Sequence, residues 1–260
     1  MERVNGAPLL SLSDVSMFFG GLVAVNRVTT EVRESQIKGL IGPNGAGKTT
    51  LFNLISGIYT PTTGDITFQG DSIVGREPNR VAALGITRTF QNVRLFANMS
   101  VLENVMVGRH LHATSGFLQA ALRRTSVRRE ESEIVATAAA LLEQVGLSER
   151  AADKATDLPF GLQRTLEIAR ALATEPTMLL LDEPAAGLNA TERRSLASLI
   201  RRIRDDGTTI LLVEHDMEFV MGLVDELLVL DHGSAIAEGT PAEIQADEQV
   251  IAAYLGTPEE

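Results

Sequence analysis

Residues 42–50 read Gly-Pro-Asn-Gly-Ala-Gly-Lys-Thr-Thr, which fits the spacing G-x-x-x-x-G-K-[ST]. Glycines at 42, 45 and 47 let backbone N–H groups, including those flanking Asn44 and Ala46, wrap a polyphosphate. Lys48 adds a cation toward the outer oxygens, and the hydroxyl of Thr49, followed by Thr50, is a hard-oxygen ligand for Mg²⁺. A triphosphate also needs an acid to hold the metal and a group to aim water. "MLLLDEP" (178–184) supplies adjacent candidates, Asp182 for the metal and Glu183 as general base. Gln91 follows the run "ITRTF" and His215 follows "TTILLVE", so both lie beyond the carboxyl ends of expected strands, where an open parallel sheet contacts its ligand. Each feature taken alone has a plainer reading: a glycine-rich turn, solvated acids ending a strand, a surface glutamine, a structural histidine.

A second phosphate-friendly feature is "LPFGLQRTLEIAR" (158–170). Pro159 and Gly161 interrupt the chain before a run of helix formers, and Leu162, Leu166, Ile168 and Ala169 give that helix an apolar stripe. A helix start offers unpaired N–H groups and a partial positive charge to an anion.

Elements able to hold these groups are legible in the hydrophobic periodicity. "LLSLSDVSMFF", "LVAVNRVTTEV" and "IKGLIG" read as strands, with a helix from Lys48 to about Gly57, a strand at "GDITFQG", a short helix at "PNRVAALG" closed by Gly85, and a strand at "ITRTFQ". Ser100 with Glu103 is a capping box, and from Met99 to about Gly146 the pattern is almost wholly helical. Strand and helix then alternate: "TMLLLD", a helix capped by Asn189 with Glu192 three residues on, "TTILLVE", a helix from Asp216, "DELLVLDHG", and a final helix opened by Thr240-Pro-Ala-Glu243. Such alternation predicts an α/β core with a parallel sheet, interrupted by helices.

The 260 residues carry a formal net charge of −11, with 44% hydrophobic and 22% charged side chains. That balance suits a folded chain with a substantial core, and the negative charge argues against a nucleic-acid partner, whose phosphates require clustered Lys and Arg. There is no cysteine, hence neither a disulfide nor a thiolate metal site. No apolar run is long enough to cross a bilayer, so any membrane role must come through a partner.

Taken in order, these motifs resemble those of the nucleotide-binding subunit of ATP-binding cassette (ABC) transporters over nearly the whole chain. "GPNGAGKTT" resembles the Walker A loop, Gln91 in "TFQN" the Q-loop, "LPFGLQRTLEIARAL" the signature, "LLLDEP" Walker B, "AAGLN" the D-loop and "VEHD" the histidine switch loop. Phe19 in "MFFGGLVAV" stands where such proteins stack adenine. The resemblance implies a P-loop NTPase (RecA-like) α/β core over 1–91 and 161–260, with an N-terminal antiparallel β subdomain and an inserted α-helical subdomain over 92–160. It implies ATP and Mg²⁺ as ligands, Thr49, Gln91 and Asp182 around the metal, and Glu183, His215 and Gln91 in catalysis. It also implies head-to-tail pairing with a second ATP-binding subunit, Gly161 of the signature facing the partner's nucleotide. Against the usual L-S-G-G-Q, Pro159, Phe160 and Leu162 are departures; Asn189 replaces the usual D-loop Asp, and Ser35-Gln36 replace Gly-Glu ahead of the Walker A strand.

Within the family the chain is most similar to subunits of bacterial high-affinity branched-chain amino acid uptake systems. "FGGLVAVNRV", "RTFQNVRLFANMSVLENVMVGRH" and the ending "AEGTPAEIQADEQVIAAYLG" carry that likeness, and the Pro-aromatic-Gly signature is typical of the subgroup. The expected assembly is two ATPase subunits, a heterodimer in the cell with a homodimer possible in isolation, two membrane permeases and an extracytoplasmic solute-binding protein. The subunit would lie peripherally on the cytoplasmic side of the inner membrane, with residues 93–109 forming a groove for the permease. The basic stretch at 123–129 reads as a solvated helical face. A urea, amide or other amino acid importer, a soluble cassette ATPase and a binding-only regulator are the other readings; the single cassette, the acidic charge and the intact Glu183 and His215 weigh against the last two.

Overall fold

The computed structural model describes residues 7–89, 94–109 and 124–255, with side chains of 124–130 and 255 excepted. The N-terminal strands β1 (Leu10–Phe19) and β2 (Leu22–Val32) join β4 (Thr63–Phe68) and β5 (Asp71–Ser72) in an antiparallel sheet of order β2-β1-β4-β5. A six-stranded sheet is built from β3 (Ile37–Ile41), β6 (Ile86–Arg88), β7 (Met178–Asp182), β8 (Thr209–Val213), β9 (Glu226–Asp231) and β10 (Ser234–Gly239), in the order β10-β9-β3-β8-β7-β6. Five of its strands are parallel, and only β10 runs antiparallel, against β9.

Why β3, β7 and β8 are uninterrupted hydrophobic runs follows from their position. All five residues of each are buried, because a parallel sheet is covered on both faces. Alternate residues serve two cores. Ile37, Leu179, Leu181, Ile210 and Leu212 face the helices α3 (Val101–Arg109), α5 (Phe160–Leu172) and α6 (Ala190–Asp205). Leu40, Met178, Leu180, Leu211 and Val213 face the antiparallel sheet and α1 (Lys48–Ile55), which contributes Leu51, Phe52, Leu54 and Ile55. Each such side chain, fully removed from water, contributes about 1.5–3 kcal/mol before entropy is counted.

The insert comprises α3, α4 (Arg124–Val145) and two short turns at 148–150 and 155–157, packed through Val101, Val105, Ala138 and Leu142 against Leu166, Ile168 and Ala169 of α5. Gly108 of α3 approaches so closely that a Cβ there would clash with the backbone carbonyl of Arg170. The remaining helices are α2 (Pro78–Ala83), α7 (Met217–Met221), α8 (Pro241–Ala246) and α9 (Glu248–Leu255).

All three expected capping boxes form: Ser100 with Glu103, Asn189 with Glu192, and Thr240 with Glu243. Some details differ from the sequence reading. The strand after Gly85 ends at Arg88, and the expected single C-terminal helix is two, because Asp247 leaves the helical region and its carboxylate accepts from the N–H groups of Gln249 and Val250. Gly161 does not break the chain ahead of the signature helix; Pro159 is the N-cap and Gly161 lies inside the first turn. The architecture is the α/β P-loop NTPase fold with an antiparallel β subdomain and a helical insert.

Candidate functional site

The glycine-rich loop leaves the carboxyl end of β3 and enters α1 at Lys48. Gly42, Gly45 and Gly47 have φ of 152°, 83° and 101°, a curl that L side chains resist and that turns successive N–H groups inward. The N-cap Gly47 has no side chain to accept from the first turn, so those donors stay available to an anion. Lys48 Nζ donates to the carbonyls of Gly42 (2.7 Å) and Pro43 (2.9 Å), holding the ammonium under the loop. Burial pushes its pKa below the usual lysine range, and the nearby charge of Glu183 only partly offsets this. Asn44, Gly45, Ala46, Gly47, Lys48, Thr49 and Thr50 line a cleft of about 320 Å³ whose other walls are Phe19, Leu22, Val23, Ala24 and Glu183. At its rim Phe19 is 41% exposed and packs edge-to-face on Tyr59, with ring centroids 5.4 Å apart, while Phe18 is not among the lining residues.

Register brings the other groups to the same end. Asp182 of β7 pairs with Val213 of β8, so the acids after β7 and the histidine after β8 emerge side by side. Glu183 sits at φ 45°, an unusual conformation for a non-glycine residue, held by its N–H donating to Val213 O at 2.9 Å. His215 Nδ1 lies 3.8 Å from Glu183 Oε2. Asp182 is nearly buried and paired with Arg88 at 2.7 Å. Gln91 lies outside the described residues, so its place relative to these groups is not part of the picture.

Hard oxygen donors from Thr49 and Asp182 fit a magnesium ion that keeps most of its other positions for phosphate and water. Among the described residues no group of three or more His, Cys, Asp or Glu forms a metal cage of its own.

The signature is elsewhere. Gly161 and Leu162 line a separate hollow with Leu188, Thr191 and Glu192, and none of residues 158–162 lines the phosphate cleft of this chain. A Cβ on Gly161 would meet the Glu192 carboxylate at 2.7 Å, so glycine here serves the packing of α5 against α6. Phe160 is 47% exposed, with its ring close against Gly187 and under the Arg164 guanidinium at 5.9 Å.

Sequence reasoning missed three residues. Arg88 is the partner of Asp182. Glu214 is buried and its Oε1 accepts from Ala185 N–H at 2.7 Å, tying the loop after Glu183 to the loop carrying His215; burial pushes its pKa up, against the N–H groups of Ala185, His215 and Asp216 that favour the charged form. The third is Tyr254 of α9, where burial pushes the phenol pKa up to about 12, with the backbone N–H of Gly42 pulling the other way.

The tyrosine gives a pH prediction. A folded-state pKa above the ordinary value near 10 means stability is complete below pH 10 and falls as pH rises through about 12, since the unfolded chain ionises first. Thermal midpoints measured from pH 8.5 to 11.5 should therefore decline less steeply for Tyr254→Phe than for the unaltered chain; identical slopes would rule out burial of the Tyr254 phenol as the cause.

Comparison with known proteins meets this geometry. Residues 25–186 match the ABC transporter family, and residues 236–260 match the branched-chain amino acid ATP-binding cassette transporter family. The chain is 48% identical over 250 residues to LivG, the high-affinity branched-chain amino acid transport ATP-binding protein of Escherichia coli (strain K12), covering 96% of this chain and 98% of that protein. It is 47% identical over 250 residues to BraF of Pseudomonas aeruginosa, with the same coverage. Among solved structures, the ADP conformation of an ATP-binding cassette of an ABC transporter superposes with a TM-score of 0.85 at 30% identity, covering 97% of this chain and all of that one. With a family match over residues 25–186 and nearly half its residues shared with LivG over almost the whole length, the chain belongs to the ATP-binding, ATP-hydrolysing subunits of ABC transporters.

Proposed function

We propose that this subunit drives an importer of branched-chain amino acids. The observation that carries the reading is the nearly full-length likeness to LivG and BraF, which extends through the C-terminal segment beyond any generic nucleotide motif.

Phe19 would stack on adenine and the N–H groups of residues 42–50 with the Lys48 ammonium would cradle the phosphates in the cleft, while Thr49 and Asp182, with Gln91 assigned by its motif alone, would hold Mg²⁺. When bound, that ion would supply positive charge to offset the charge that develops on the phosphates. Glu183 accepts the proton of the attacking water, and His215, 3.8 Å away, steadies the carboxylate and the terminal phosphate. Gly161 and its helix start complete the site of a second ATP-binding subunit, so nucleotide joins two subunits and its hydrolysis lets them part. Because Leu162 has no polar group to offer the partner's phosphate, the site using this chain's loop and the partner's signature is the faster of the two.

No described helix is long and apolar enough to cross a membrane. In this reading two permease subunits supply the passage, an external binding protein delivers the solute, and this motor attaches on the cytoplasmic side. Proteoliposomes holding the reconstituted complex should accumulate radiolabelled leucine with ATP inside, and lose this with Lys48→Ala. ATP hydrolysis with uptake of urea or amides in place of leucine would move the assignment to another importer.

A further inference from the structure

Arg88 ends β6, the strand next to β7, and its side chain is 10% exposed. Nη2 donates to Asp182 Oδ2 at 2.7 Å. Nη1 donates to Asn53 Oδ1 at 2.6 Å and lies 3.4 Å from Ser56 Oγ, and the guanidinium rests 5.5 Å from the centre of the Phe52 ring. Its Nε has no hydrogen-bond partner among the described residues. One buried guanidinium thus ties the acid at the end of β7 to Asn53 and Phe52 of α1, the helix that grows out of the phosphate loop.

An arginine here differs from a neutral donor in one respect: it keeps its proton at any working pH, so its charge is permanent. The anchors on α1 hold it in place, and moving it away would leave a buried cation without a partner. Any cation that approaches Asp182 therefore meets an acid already half neutralised, one of whose oxygens is spoken for. We propose that Arg88 is a positioning residue that fixes Asp182 through one carboxylate oxygen, leaving the other for the divalent ion, and, by its charge, keeps the affinity of the acid for that ion low, so that metal leaves readily with the spent nucleotide. The inference rests on the reading of Asp182 as a metal-holding group.

Orientation and charge act on metal affinity with opposite signs, which makes them separable. Losing the oriented hydrogen bond weakens binding, since partners that hold a ligand in place support its affinity. Losing the positive charge strengthens it, because a like charge near the ion has gone. Arg88→Gln keeps a donor and removes the charge; Arg88→Lys keeps the charge and removes the fork.

The experiment measures Mn²⁺ binding by electron paramagnetic resonance to the full-length chain loaded with a non-hydrolysable ATP analogue. Arg88→Gln should bind Mn²⁺ on the order of tenfold more tightly than Arg88→Lys. Equal affinities, or weaker binding by Arg88→Gln, would overturn the charge role and leave Arg88 a structural brace. If Arg88→Gln does not fold, Arg88→Asn, which also keeps a neutral donor, against Arg88→Lys gives the neutral-versus-charged comparison, with thermal midpoints as the folding check. Asp182→Asn in the same assay should lose Mn²⁺ affinity. Should it bind as the unaltered chain does, the metal reading of Asp182 fails, and the inference about Arg88 fails with it for that separate reason.

Discussion

Glu183→Gln should hydrolyse ATP about 10²–10⁴-fold more slowly while still binding it, the range expected when a positioned general base is removed. The amide preserves the shape of a residue that the fold holds under constraint, at φ 45° with its N–H on Val213 O, so the loop has no reason to rearrange. What disappears is the charge. Glu183 lines the phosphate cleft, and its field is the term that resists the downward pull of burial on the Lys48 pKa. Removing that charge while leaving the loop intact should maintain or tighten nucleotide affinity. Phosphate release under single-turnover conditions, alongside equilibrium binding of a fluorescent ATP analogue, separates the two effects. The mixture with the natural partner subunit should also run as a stable pair on a sizing column when ATP and Mg²⁺ are present. Turnover within a few-fold of the unaltered chain would move the base role to another group.

Much of this site could be read in the sequence because its chemistry sits at strand ends. Lys48 and Thr49 follow β3, Asp182 ends β7 with Glu183 next, and His215 follows β8; in a parallel sheet, local position in the chain then becomes position in space. Capping signals fared well for a similar reason, since Asn189 and Glu192 form a box that depends on residues three apart. Arg88 escaped because its partner is 94 residues away, and no pattern of period two or 3.6 reports such a pair. Glu214 escaped because it looked like the approach to His215, whereas its carboxylate points back to Ala185, 29 residues earlier.

The strand β10 was missed although a signal existed. Asp231 and Ser234 pair across His232 and Gly233, both with positive φ (43° and 83°), the two-residue turn that matches strand twist. By pattern the "DHG" segment reads as the end of β9, and the strand beyond it, Ser-Ala-Ile-Ala-Glu-Gly, is too small and too partially buried to announce itself by hydrophobicity.

Gly47→Ala should abolish detectable ATP binding and lower stability by about 3 kcal/mol, the sum of a left-handed backbone cost and a packing clash. At φ 101° a Cβ would stand 2.5 Å from the carbonyl oxygen of Ala24, a backbone atom of β2 with no flexible tip to move aside. Either Ala24 retreats, pulling on β2 beneath the cleft wall, or the loop opens and α1 starts later. Both outcomes disperse the N–H groups that the phosphates need. Gly70→Ala supplies the comparison, because φ there is 85° but nothing lies within 4 Å of the added carbon. That variant should lose only about 1–2 kcal/mol and keep its nucleotide affinity. Chemical denaturation midpoints without nucleotide, and ATP binding by fluorescence, measure both. Equal destabilisation at the two positions would mean that backbone conformation alone fixes the loop and that contact with the β subdomain plays no part; a larger loss at Gly47 would show that the antiparallel sheet is a wall against which the phosphate loop is pressed into its working curl.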